Sequence, residues 1–364
     1  MVPRTWVGGL LLLWTLLAAQ AAVPEGYPAD YAEIVAAAKT EGTVVVYSPT
    51  DLAEARPLIA DFKSLYPGVS VDYRELDSAK LYDSFLKETA AGSAGADVLW
   101  SSAMDLQVKL VNDGHALHYP SPETDKLPAW AVWKSEAYGT TLEPIGFAYD
   151  KRQLSAGQVP QTHRAFIELL KSDPARFKGR TVTYDLEYSG IGFLYASQDA
   201  KASSMLWDVA AVLGASHARQ LRNSAAMLDS LASGESLLAY NVLGSYASSK
   251  RRADPSIGFV YPKDYTLVGT RIAFINKRAA HPNAAKLWLD YLLSQRGQVM
   301  LANQAGLFAL RSDVQGQTSA VALKLDAGAA VKPVVIGPGL MAYLDRGKRQ
   351  EFLKRWKELL APKE

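Results

Sequence analysis

The chain has 364 residues, 39 basic against 37 acidic, a formal charge of +2 and no cysteine. A charge so balanced excludes bulk electrostatic attraction to nucleic acid or a membrane surface. The lack of cysteine excludes disulfides, thiol catalysis, cysteine–zinc sites and a lipidated N-terminal cysteine. Hydrophobic residues make up 49%, enough for a large core, and the length fits two domains rather than one.

The chain opens on a targeting segment. Arg4, the apolar run Val7 to Leu17 and the small-x-small triplet Ala19-Gln20-Ala21 read as a secretory signal peptide over residues 1–21, too short for a stable membrane span. The mature chain is therefore expected in the periplasm without a membrane anchor. Tyr31 to Thr40 then reads as a helix, and the β-branched run Thr43 to Tyr47 as a strand buried on both faces. Leu58, Ile59, Phe62, Leu65 and Tyr66 recur at helical spacing until Pro67-Gly68, after which Val69, Val71 and Tyr73 alternate as a strand does. This is a βαβ unit, the building block of parallel sheets.

The alternation continues. Helices are expected at Lys80 to Ala90, Met104 to Asn112 and His163 to Lys171, and from Ile191 to Leu213 with a break near Ala200. Strands are expected at Asp97 to Trp100, Ile145 to Tyr149, Thr181 to Tyr184, Leu237 to Tyr240, Ile257 to Tyr261 and Leu267 to Ile275. Helices at Ser245 to Arg252, Asn283 to Ser294 and Arg296 to Gln304 complete the pattern, with a last helix whose apolar face is Phe352, Leu353, Trp356, Leu359 and Leu360. Strands alternating with helices mean an α/β fold with mixed, parallel-dominated sheets flanked by helices.

Open α/β sheets bind ligands beyond the carboxyl ends of their strands. Those ends carry Ser48 and Thr50, Ser101 and Ser102, Tyr188 with Ser189 and Gly190, and the stretch Tyr240, Asn241 to Tyr246. Hydroxyls and helix N-termini suit an anion, although the same residue types serve as ordinary caps and turns. Arg271 is a candidate clamp for a carboxylate or phosphate. Glu143, before Pro144, reads either as a residue at an interdomain crossing or as an exposed loop carboxylate. His115 and His118 lack further ligands for a metal. No G-x-S-x-G elbow, P-loop or H-E-x-x-H motif is present, so neither catalysis nor a cofactor is expected.

The segments Gly42 to Ser48, Ala96 to Trp100, Pro144 to Asp150, Gly234 to Asn241 and His281 to Ser294 resemble the periplasmic solute-binding proteins of ABC importers. Within them, the chain resembles the type II group that holds ferric-iron, hexose-phosphate, phosphoglycerate and aminoethylphosphonate binders. The resemblance implies a two-lobed fold with a hinge, lobe 1 formed by residues 22–144 and 264–364 and lobe 2 by 145–263. It implies ligand capture between the lobes, closure on binding, and delivery by a monomer to an ABC permease with its ATPase. Some relatives instead pass ligand occupancy to a membrane histidine kinase. Ferric binders of the group carry adjacent tyrosines after the Gly-Glu segment; here only the separated Tyr240 and Tyr246 remain. The expectation is an organic anion (a phosphorylated sugar, phosphoglycerate or phosphonate) with ferric iron as the alternative and a secreted hydrolase as the rival from another class.

Overall fold

Thr43–Ser48 pairs in parallel with Ser70–Glu75 through the intervening helix Leu52–Leu65, as the βαβ pattern requires. The helix before this unit, Tyr31–Glu41, stops at Gly42, whose left-handed φ of 73° reverses the chain into the strand at no side-chain cost. The structure is a computed structural model that describes residues 23–93 and 95–361. The signal-peptide reading of 1–21 lies outside the described residues.

Two sheets organise these residues. The first runs in the order Ser70–Glu75, Thr43–Ser48, Val98–Ser101, Ile272–Ile275, Ala137–Gly139, Val132–Trp133. The second runs Val331–Pro333, Thr266–Gly269, Thr141–Asp150, Leu238–Leu243, Thr181–Tyr184, Arg219–Leu221. Each sheet is mixed. Parallel pairs come from the helix-linked strands, and antiparallel pairs gather around the two strands Thr141–Asp150 and Ile272–Ile275.

Each sheet has its own core. Val44, Val46, Phe62, Trp100, Trp288 and Leu292 belong to the first; Phe147, Phe166, Val182, Leu213 and Tyr240 belong to the second. The helix Arg346–Leu360 packs Phe352 and Trp356 into the second core, against Met205–Ala215. Its apolar face is as read from the sequence, but its lobe differs from the expected assignment of 264–364 to lobe 1. Helix amphipathicity reports that a face is buried, not which partner buries it.

Among the described residues the chain passes between the sheets three times, twice directly from one strand into the next and once over the longer stretch from Ile272–Ile275 to Val331–Pro333. Ala137–Gly139 in the first sheet leads through Thr140 into Thr141–Asp150 in the second. Thr266–Gly269 in the second leads through Thr270-Arg271 into Ile272–Ile275 in the first. The run expected as one strand, Leu267 to Ile275, is thus two strands in two sheets. The crossings are bound to each other: Gly269 pairs with Glu143, and the Thr140 backbone N–H donates to the Arg271 carbonyl at 2.9 Å.

Candidate functional site

The two crossings meet in an ion pair. Glu143 is 0% exposed and Arg271 3% exposed, and an Arg271 Nη1–H donates to Glu143 Oε1. Glu143 is therefore no exposed loop carboxylate. Thr141 Oγ1 also donates to Oε1 at 3.0 Å and accepts from the Arg271 backbone N–H at 3.0 Å. A buried charge pair of this kind is held by the groups that take up its remaining lone pairs and protons, and here both lobes contribute them. From lobe 1, Thr50 Oγ1 accepts from Arg271 Nε at 2.9 Å and Glu54 Oε2 stands 3.8 Å from Arg271 Nη2. From lobe 2, Ser245 Oγ donates to Glu143 Oε2 at 2.9 Å.

Local sequence explains how these groups arrive. Thr50 follows the strand Thr43–Ser48, and Ser48 Oγ accepts its backbone N–H at 3.1 Å, which fixes the turn. Tyr73 adds a bond from its hydroxyl to the Thr50 carbonyl at 2.6 Å. Glu54 lies in the first turn of Leu52–Leu65. Ser245 lies in the first turn of Gly244–Ala253, at the carboxyl end of Leu238–Leu243. Gly244 permits that approach, since a Cβ there would stand 2.9 Å from Pro144 Cγ and 3.0 Å from the Pro144 carbonyl.

Burial pulls the titrations of the site in opposite senses. Desolvation lowers the Arg271 pKa, and Glu54 and Tyr73 oppose it. Desolvation holds the Glu54 carboxyl above the usual range, and Arg271 opposes that. Tyr246, half-buried in lobe 2, has its phenol pushed up by burial and then by the charges of Asp51, Glu54 and Glu75 in lobe 1. The positive charge of Arg271 is already answered by Glu143.

The expected site residues divide. Ser48, Thr50 and Arg271 converge at the crossing. Ser101 accepts the Ala103 N–H at 3.1 Å and lies 3.4 Å from Ser78 Oγ, with half-buried Ser102 beside it at the start of Met104–Asn112. Ser189 caps Gly190–Ala202 by accepting from the Gly192 N–H at 3.1 Å, so its acceptor role is the ordinary capping one. Gly190 is exposed, as is Tyr188 at 70%, under the Arg222 guanidinium.

Tyr240 and Asn241 stand elsewhere. Their strand runs on to Leu243, so they lie within it rather than beyond its end. Tyr240 is 0% exposed and donates to Asp199, to which Asn241 Nδ2 also points at 3.4 Å. Asn241 has a left-handed φ of 62°, a conformation that Asn tolerates better than other non-glycine residues. The opposing strand shifts register between Gly146 and Ala148. These side chains therefore serve the lobe 2 interior. Of the loop, Ser245 reaches the crossing and Tyr246 faces it.

Glu54 is a functional candidate that the sequence reading passed over, and Ser245 lay inside the stretch Asn241 to Tyr246 without being picked out. A signal existed for Ser245, because Gly-Ser opens a helix after a strand. None existed for Glu54, which reads as a solvated first-turn carboxylate.

A concavity of about 660 Å³ is lined by Leu127, Trp130, Leu142, Leu310 and Leu323 among others, and not by Thr50, Glu143, Ser245 or Arg271. Its walls are largely apolar side chains that close the first core.

Residues 48–299 match the family of bacterial extracellular solute-binding proteins. The chain is similar to the substrate-binding protein of an ABC transporter from Agrobacterium tumefaciens, at 39% identity over 87% of this chain and 94% of that one, with a TM-score of 0.80. It also resembles, in fold alone, iron-bound HitA from Pseudomonas aeruginosa (19% identity, 87% and 99% covered, TM-score 0.64). A third likeness in fold is AfuA from Actinobacillus pleuropneumoniae with fructose-6-phosphate bound (16%, 88% and 98%, TM-score 0.68). Among curated proteins, none matches the chain.

Proposed function

The chain belongs to the family of bacterial extracellular solute-binding proteins, and from that premise we propose that it captures a small organic anion between its lobes in the periplasm and hands it to the permease and ATPase of an ABC importer. The observation that carries this reading is the Glu143–Arg271 pair. It lies where the two crossings meet: Arg271 Nε donates to Thr50 on one side, and Glu143 accepts from Ser245 on the other. A solute entering there changes contacts to both lobes at once, which is what couples binding to closure. The reading assigns capture and release, not turnover.

The anionic part of the proposal rests on two helix starts that follow sheet strands. Ser101 and Ser102 precede Met104–Asn112, and Ser189 opens Gly190–Ala202. Helix starts offer N–H groups and partial positive charge to phosphate or carboxylate. Arg271 supplies direction rather than net charge, since Glu143 neutralises it.

Thermal melting of the mature chain with sugar phosphates, phosphoglycerate, aminoethylphosphonate, inorganic phosphate, dicarboxylates and ferric citrate tests this. A ligand at a hundred times its dissociation constant stabilises by about 2.7 kcal/mol, several degrees for a protein of this size. Solution scattering should then give a smaller radius of gyration with the stabilising ligand. A shift with ferric ion alone would replace the organic anion by iron.

A further inference from the structure

Among the described residues, four buried polar side-chain atoms have no hydrogen-bond partner. Two are the indole nitrogens of Trp288 and Trp356, inside the two cores. The other two are oxygens, Glu54 Oε2 and the Tyr195 hydroxyl, and they flank the crossing from opposite lobes.

Glu54 comes from lobe 1. Its Oε2 lies 3.8 Å from Arg271 Nη2, too far for a hydrogen bond. Tyr195 comes from the lobe 2 helix Gly190–Ala202, is 0% exposed and packs with Ile145, Leu243 and Leu267. Its hydroxyl lies 3.2 Å from where a Cβ on Gly269 would stand, and Met104 Sδ lies 3.5 Å from the same point. Gly269 pairs with Glu143 and precedes Arg271 by two residues; Met104 starts the helix behind Ser101 and Ser102. The Tyr195 hydroxyl is therefore aimed at the seam between the crossing strand and lobe 1. Tyr246 packs against the same cluster as Tyr195.

A buried acceptor and a buried donor left unpaired are costly in a folded protein, and their placement on either side of one seam gives both the same use. We propose that Glu54 and Tyr195 grip the solute across the crossing: a hydroxyl or ammonium of the solute donates to Glu54 Oε2, and the Tyr195 phenol donates to a solute oxygen. The solute is accordingly a hydroxylated or aminated organic anion, not a bare oxyanion. Charge supports the same choice, because Arg271 is spent on Glu143 and a second carboxylate, Glu54, stands 3.8 Å from the same guanidinium. This inference rests on the solute-binding reading above.

Isothermal titration tests it with fructose-6-phosphate, phosphoglycerate and aminoethylphosphonate against inorganic phosphate and methylphosphonate, on the wild type, Glu54→Gln and Tyr195→Phe. The donor-bearing probes should bind and the two donor-poor anions should not. Each variant should weaken the best probe by about tenfold or more, the worth of one hydrogen bond to a charged partner. Without ligand, Tyr195→Phe should melt at the wild-type temperature or above it, because the hydroxyl it removes is unpaired. Wild-type affinity in both variants overturns the grip and leaves solute binding standing. Equal affinity for inorganic phosphate, or a ligand-free Tyr195→Phe that melts several degrees lower, also overturns it. No binding of any probe by the wild type overturns the organic-anion reading together with the grip.

Discussion

Carboxylates are buried both inside the lobes and between them, and they are held differently. Asp290, inside lobe 1, accepts from the hydroxyls of Tyr31 at 2.8 Å, Tyr119 at 2.7 Å and Ser121 at 2.6 Å. Asp199, inside lobe 2, accepts from the Tyr240 hydroxyl and from that of Tyr265 at 2.5 Å. Each is satisfied by neutral donors within one lobe. Glu143 and Glu54, between the lobes, are answered by Arg271 and draw their partners from both lobes or lack one. A carboxylate satisfied from within one lobe does not sense closure. A carboxylate shared between lobes does, because relative movement of the lobes changes its partners.

The largest test of that contrast is to break the shared pair. Arg271→Met leaves Glu143 buried without its cation, and removal of one partner from a buried pair costs about 3–5 kcal/mol. Urea unfolding should show that loss. The double variant Arg271→Met with Glu143→Leu should recover most of it, since an apolar pair of similar volume avoids the desolvation cost. A loss below about 1 kcal/mol in the single variant would place the pair among exposed ion pairs and erase the distinction.

Asp290 provides the next test. Burial holds its pKa up, to about 6 against an ordinary 3.8, with the three hydroxyls pulling the other way. Between pH 4 and 6 the folded state thus binds more protons at this site than the unfolded state does, so stability must fall as pH rises through that window. The effect is at most about 1.4 kcal/mol per pH unit. Asp290→Asn removes the titration. The stability difference between wild type and variant, measured by urea unfolding at pH 4, 5 and 6, should shift against the wild type as pH rises. A constant difference would mean that Asp290 titrates normally.

These two clusters also show what was legible in the sequence. Asp290 and Trp288 lie in the His281 to Ser294 segment that carries the family resemblance, and Asp97 in another such segment holds the His281 backbone N–H at 3.0 Å and its ring at 2.8 Å. The recognisable segments are largely those that build lobe 1. Thr181–Tyr184 was readable to the residue because its period and its neighbours agree. The crossings were expected only through the family resemblance, near Thr141 to Gly146 and Tyr261 to Thr270, not through a local signal. Nothing local in Leu267 to Ile275 marks the change of sheet at Thr270-Arg271, because strand membership is decided by pairing partners distant in sequence. Pro144 suggested a loop, yet it pairs with Val268 inside a ten-residue strand. The end of the strand at Leu243 was missed for a related reason: Asn is depleted in strands, so Asn241 looked like the residue that leaves one.

Asn241 gives the smallest and most selective test. If its role is the bulged backbone, the amide side chain is dispensable, because its bond to Asp199 at 3.4 Å is long and Tyr240 and Tyr265 already satisfy that carboxylate. Asn241→Gly keeps access to a φ of 62° without strain and should change stability by no more than about 0.5 kcal/mol, with solute affinity unchanged. Asn241→Val forces a β-branched side chain into the left-handed region and should cost about 1–3 kcal/mol, again with unchanged affinity in the folded fraction. The pair of variants separates backbone shape from solute contact. A Gly variant that folds normally but loses affinity would return Asn241 to the binding surface and put a solute-contacting residue inside lobe 2, where the contrast between the two kinds of carboxylate allows none.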